Sequence, residues 1–407
     1  MKNLRQLTLA AAITGVCSAT APLAFADSAP TLTDALKDGD VVLSFRTRYE
    51  DVTVTNPGAA DGTADVLSLK TRLTFTSKDF NGWGLGLEMD DVTHITDYEP
   101  EGAGATIFDP EGTEMNQYFL SYKFGKSVAK YGRNRIILDN QRFVGGVGFR
   151  QNEQTYDSVI IQSNDVDKLS LFGAYVTGIK RIFGEQNPTG EHDTETVLMN
   201  AKYAFAPAIN LTGYYYDIDN ITQPAMANTT MGIRATGAAA GFSYEAEFAN
   251  QTDAGKNPSE YSASYIGLMG AYAFKPVAFT LGYESLGTDD NKGRFITPLA
   301  TLHAFQGWTD VFLGGGTGNV AGGIDDIYFK VAGKAGPVNL AAIYHQFDVN
   351  DSAVAGFDSF GSEIGLLVAG TVKGIGLEAK YANFSADDAA TGFKDTQKIW
   401  LTASAAF

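Results

Sequence analysis

Four arginines crowd one stretch of an otherwise acidic chain. "GRNRIILDNQRFVGGVGFRQNEQTYD", residues 132–157, carries Arg133, Arg135, Arg142 and Arg150 beside Phe143, Val144, Val147 and Phe149, a run too apolar for an ordinary surface loop. A guanidinium is a permanent cation with a fork of five donors, suited to gripping or steering anions and not to moving protons at neutral pH. Other groups that could do chemistry are sparse. The four histidines, His94, His192, His303 and His345, show no His-Glu-x-x-His or similar metal spacing. His303 with Asp310 imitates part of a dyad, but no serine or second base is presented with it. "GGGTGN" (314–319) lacks the strand-then-helix setting of a phosphate cradle. The residues therefore predict no catalytic group, no metal site and no cofactor, and the chain does not read as an enzyme.

The elements that must position these arginines begin with a leader. Lys2 and Arg5 precede the apolar run "LTLAAAITGV", and "AFA" at 24–26 is a small-x-small cleavage site, so residues 1–26 read as a signal peptide. The one cysteine, Cys17, lies inside it, and "TGVC" does not match a lipoprotein site. An exported chain without further cysteine has no disulfide or thiolate-metal framework. Setting Lys2 and Arg5 aside takes the formal charge from −17 to −19, which excludes nucleic acid as a natural partner. No later stretch approaches 18 consecutive apolar residues, so no transmembrane helix is expected.

Period-two alternation runs from residue 41 to the end. In "VVLSFRTRYE" Val41, Leu43, Phe45, Thr47 and Tyr49 alternate with Ser44, Arg46, Arg48 and Glu50; "VLSLKTRLTF" sets Leu67, Leu69, Leu73 and Phe75 against Ser68, Lys70, Arg72 and Thr74. There are about 18 such segments, each near the roughly ten residues that carry a tilted strand across a bilayer. Short connections, as at 77–82 and 372–374, alternate with long ones, as at 91–113, 136–153 and 286–325. That asymmetry, a charged polar face, and a last strand ending on Phe407 predict an all-β transmembrane antiparallel barrel of 16–18 strands, with short periplasmic turns and long extracellular loops, in the bacterial outer membrane. A soluble sandwich would alternate too, but without the loop asymmetry. The expected order is a periplasmic segment at 27–40, then the barrel from 41 to 407. Alternation does not orient residues 127–135, where the arginines share a face with Tyr131, or 154–163, where both faces are mixed.

A barrel of this size leaves an aqueous channel. Loops 136–153 and 286–325 are expected to fold into its mouth and meet there. Phe143 and Phe149 would anchor the first loop, and Arg133, Arg135, Arg142 and Arg150 would face the passage and favour anions. Arg142 and Asp139 are close enough in sequence to latch the loop as a pair. The inferred pore lining continues with Arg46, Arg48, Lys70, Arg72 and Lys123, and with Lys380 and Lys398 on the closing strands. Acidic candidates, Glu245, Glu247, Glu284 and Glu363, lie elsewhere, which predicts one basic and one acidic wall.

The stretch at 132–157 resembles the signature of the alginate-export family of outer-membrane porins. So do "LTDALKDGDVVLSFRTRYEDV" (32–52), "LHAFQGWTDVFL" (302–313), "GIDDIYFKVAG" (323–333) and "DTQKIWL" (395–401), in the expected order. The resemblance implies an 18-strand barrel with loops folded over or into the lumen, and passive transport of polar, often anionic, solutes; it does not imply alginate. The expected partners are outer-membrane lipid and lipopolysaccharide, the barrel assembly machinery through the strand ending in Phe407, and a small polar or anionic solute, acidic sugars or oligosaccharides included. The alternative is a non-conducting surface barrel, an adhesin or structural protein with working acidic loops.

Overall fold

Two-residue periodicity sends alternate side chains to opposite faces, so strands paired on both edges build a wall with an inside and an outside. The computed structural model describes residues 29–56, 60–390 and 392–407; the leader expected at 1–26, with Cys17, lies outside the described residues. The strands are β1 (Asp40–Val54), β2 (Gly62–Thr76), β3 (Trp83–His94), β4 (Gly112–Phe124), β5 (Ser127–Asn134), β6 (Thr155–Ser163), β7 (Leu169–Lys180), β8 (Glu191–Ala206), β9 (Ile209–Ile218), β10 (Asn228–Ala239), β11 (Phe242–Asp253), β12 (Ser262–Phe274), β13 (Val277–Leu286), β14 (Thr288–Asp289), β15 (Gly293–Arg294), β16 (Ile324–Ala335), β17 (Val338–Val349), β18 (Ser359–Val372), β19 (Ile375–Ala386) and β20 (Thr396–Ala406). β14 and β15 form a small hairpin inside a loop, and the other eighteen make one antiparallel sheet. It closes where β20 pairs with β1, from Ser44↔Ala406 to Val54↔Thr396. Closure leaves no unpaired edge, which a barrel in lipid requires.

The outer face carries exposed Leu87, Leu120, Met199, Ile233, Leu268, Leu281, Leu366 and Leu401. At the short-turn end aromatic pairs ring it: Trp83 with Tyr122 (4.8 Å), Tyr203 with Phe205 (6.5 Å) and Phe242 with Tyr244 (6.3 Å). An apolar band with an aromatic girdle is the surface of a membrane-spanning barrel. No helix among the described residues is long and apolar enough to cross a membrane. A short helix, α1 (Leu32–Lys37), is capped by Thr31, whose hydroxyl accepts from Asp34 N–H at 3.1 Å. It docks beside the β2–β3 turn, where Lys78 N–H donates to Ala35 O.

Phe407 sits on the closing seam. Its N–H donates to Leu43 O and its carbonyl accepts from Leu43 N–H, at 2.9 and 3.1 Å, and its ring lies 6.3 Å from Phe45. Deleting Phe407 removes two seam hydrogen bonds, roughly 1–3 kcal/mol together, at the point where the barrel must close. The expected result is a fall of several-fold in heat-modifiable protein recovered from the outer membrane. Undiminished recovery would mean that closure does not depend on this residue.

Candidate functional site

The residues between β5 and β6 leave the wall and cross the barrel. Asp139, Gln141 and Val147 take φ values of 49°, 68° and 50°, which turn the chain back on itself. Leu138 N–H donates to Val144 O to close the first turn. The loop between β13 and β16 runs beside it: Val144 bridges Leu299 in parallel, Gly145 N–H donates to Leu299 O, and Thr301 N–H donates to Gln141 O. Gly145 is required at this crossing, because a Cβ there would stand 2.3 Å from Thr301 Oγ1.

The apolar residues of the arginine stretch fasten this loop pair to the wall. Phe143 is buried with its ring 5.4 Å from Tyr214 on β9, 5.1 Å from Tyr265 on β12 and 5.8 Å from Phe295. Phe149 stacks on His303 at 3.5 Å and meets Trp400 of β20 edge-on at 5.7 Å. In the second loop Phe312 packs among Phe347, Phe360 and Phe384. Glu363 on β18 accepts from the backbone N–H groups of Trp308 and Thr309.

Each buried arginine of the stretch has found an acid, because an isolated buried charge is too costly to keep. Arg135 reaches Glu88 at 2.8 Å and Glu153 at 2.6 Å. Glu153 also lies 2.9 Å from Arg72 and 3.5 Å from Lys70, while Asp90 accepts two bonds from Arg72 at 2.6 Å. Burial alone would raise Glu153, but Arg135, Arg72 and Lys70 hold it well below the usual carboxylate range. Arg142, fully buried, pairs with Glu284 at 2.6 Å and donates to Thr297 Oγ1. It does not pair with Asp139, which lies instead near Arg234 (3.6 Å) and accepts from Asn200. Arg234 is forked onto Glu245 and lies 3.5 Å from Glu247, whose other bond is accepted from Tyr214 O–H.

Arg150 stands where both loops meet the wall, 2.9 Å from Glu50, 3.0 Å from Asp310 and 3.9 Å from Asp109. Burial pulls this guanidinium down, but the three acids outweigh it and hold it above its ordinary value. Asp310 accepts from Arg150, from Lys398 at 3.2 Å and from His303 Nδ1–H at 2.9 Å. The His303 Nε2 accepts from Lys380 Nζ at 2.6 Å, so the ring is the neutral Nδ1–H tautomer. Burial first, then the Lys380 and Arg150 charges, push His303 down to about 3 against the pull of Asp310.

Arg46 and Arg48 on β1 form no ion pair among the described residues. They donate to loop carbonyls, Arg46 to Gly148 and Arg150, and Arg48 to Phe149, with the Arg48 guanidinium 4.3 Å above the Phe149 ring. One residue assigned to the lumen lies elsewhere. Arg133 is across from Tyr118 and Asp157, on the face that exposes Tyr131, and pairs with Asp157 at 2.9 Å. It shares the outer face because β5 still alternates at 133, whereas the strand ends at Asn134 and frees Arg135 to turn inward. Lys123 shares the inward face of β4 with buried Phe119 and Ser121, but at the short-turn end, away from the loop pair. Glu153 and Arg234 organise the charges but were not singled out in the sequence, and Asp310 was noted there only beside His303, which it does meet. Alternation past Ile233 points Arg234 inward; nothing local marks Glu153.

Comparison with known proteins bears on this arrangement. A family profile described as alginate export matches residues 39–285. The fold is similar to crystal structures of Acinetobacter baumannii OccAB2 (15% identity, TM-score 0.70) and Pseudomonas aeruginosa OccK9 (OpdG) (15%, 0.70), each alignment covering 92% of this chain and 99% of the other. Pseudomonas aeruginosa OpdL gives 14% identity and a TM-score of 0.69 over 91% and 99%. No curated protein matches in sequence.

Proposed function

The chain belongs to the alginate export family, and from that premise we propose that it is an outer-membrane channel through which small polar or anionic solutes, acidic sugars and oligosaccharides included, diffuse passively. The observation that carries this reading is the division of charge inside the barrel. Arg46, Arg48, Lys70, Arg72, Lys380 and Lys398 sit on the contiguous strands β19, β20, β1 and β2. Glu245, Glu247, Glu284, Asp326 and Glu363 sit on β11, β13, β16 and β18; the exceptions are Glu50 and Glu378 on the basic arc, Glu50 being paired with Arg150, and Lys330 on the acidic one. Facing charges of opposite sign set ion preference in pores. The arginines of the loop are spent on carboxylates, so they make the passage rigid and contribute little net field. Arg46 and Arg48, bonded only to neutral groups, keep their charge, and at this burial it is weakly screened.

Purified protein in a planar bilayer is expected to give discrete conductance steps and a reversal potential of modest anion preference across a salt gradient. Changing Arg46 and Arg48 together to Gln should move that potential toward cations. Absence of conductance would favour a surface barrel without a pore, and strong cation preference in the unchanged protein would overturn the assignment of the basic arc.

A further inference from the structure

The outer loops enclose a cavity of about 280 Å³ that the latches leave open. Its wall is largely apolar, with Phe108, Phe183, Pro298 and Leu302, and the two phenylalanine rings meet edge to face at 5.7 Å. Arg181, the first residue after β7, lines the same space. Arg150, His303 and Asp310 line it too, but their polar atoms are committed to one another and to Glu50, Lys380 and Lys398.

Arg181 differs from the other arginines. Its guanidinium has no hydrogen-bond or ion-pair partner among the described residues; it lies 5.0 Å from the Phe183 ring and against Gly316, where a Cβ would stand 2.7 Å from Nη2. The half-buried fork thus keeps its donors unmet in an apolar surround, an arrangement that an anion relieves. Size narrows the class. An apolar cavity of roughly 150 Å³ holds benzene, so this one has room for a ring or short acyl chain and a headgroup as well. A sugar acid would leave hydroxyls unpaired against the phenylalanines, at about 1–3 kcal/mol for each buried group.

We propose that this cavity binds an amphipathic carboxylate, with the carboxylate forked on Arg181 and an apolar body against Phe108, Phe183 and Leu302. The assignment rests on the channel reading for its meaning, as the first station of a solute at the outer mouth, but binding itself needs no conduction. The test is calorimetric titration of the full barrel in nanodiscs with phenylacetate, 2-phenylethanol and gluconate, each also titrated into empty nanodiscs. Phenylacetate should bind at least tenfold tighter than either of the others, which lack the charge or the apolar body. Arg181→Met should lower phenylacetate affinity at least tenfold while heat-modifiable migration stays unchanged, and Phe183→Ser should lower it as well. Equal binding of gluconate, full binding by Arg181→Met, or no binding of any probe would overturn the proposal. Conductance of the same preparation separates the two readings: steps without phenylacetate binding defeat the cavity alone, and binding without steps defeats the channel alone.

Discussion

Arg150→Met is expected to release the two inner loops while leaving the barrel wall intact. Arg150 is 3% exposed and is the cation shared by Glu50, Asp310 and, at 3.9 Å, Asp109. Methionine fills much of the same volume but leaves these acids facing one another in a space with little water. Removing one partner of a buried ion pair costs on the order of 3–5 kcal/mol, enough to undo a local packing unit and far less than eighteen paired strands resist. Protease added to intact cells should then cut near Trp308, which is buried against the wall in the native protein, while heat-modifiable migration persists. Adding Glu50→Gln should restore part of the resistance, since it removes an acid the lost cation had balanced. A variant as resistant as the native chain would show that aromatic packing of Phe143, Phe149 and Phe312 holds the loops without the ion pairs.

Acid should loosen the same loops, through His303. In the docked loop its ring is neutral, donating to Asp310 and accepting from Lys380, with its pKa pushed down to about 3. In a released loop it returns to the ordinary value near 6.5. Above pH 6.5 neither state holds the proton and docking is unaffected. Between 6.5 and 3 the released loop takes a proton that the docked loop refuses, so docking weakens as pH falls. At about 1.4 kcal/mol per pH unit the loss reaches roughly 2–3 kcal/mol by pH 4.5. Asp310 and Glu153 are held well below the usual carboxylate range; their contributions stay in place above the ordinary carboxylate values and are lost only as pH falls through their own. Of these three, His303 is therefore the group that responds between pH 7 and 4.5. Protease susceptibility of the loop should rise over that range in the native protein and stay flat in His303→Gln, which keeps a donor and an acceptor but cannot titrate. A parallel rise in both would place the acid response elsewhere.

The barrel was legible because its signal is local. Side chains alternate with period two, so "VVLSFRTRYE" and "VLSLKTRLTF" announce an inside and an outside from the order of their residues alone, and β1 and β2 pair in register from Asp40↔Thr76 to Val54↔Gly62. Loop lengths are equally local, and they give the ends of the barrel. The arginines were visible for the same reason, as types in a row, and so was the need for something apolar to receive Phe143 and Phe149.

Their directions were not local. Arg133 obeys the alternation of β5 and goes out, while Arg135, one step beyond the strand's last residue, is released from it and goes in. Arg142 meets Glu284 across 142 residues of chain and Arg150 meets Asp310 across 160. No spacing in the sequence records such a meeting. It exists because three residues with positive φ turn one loop onto another, and because a buried guanidinium comes to rest beside whichever acid closure of the barrel has carried to it. Arg181 was left over by the same process, and only the folded chain shows that closure carried no acid among the described residues to it.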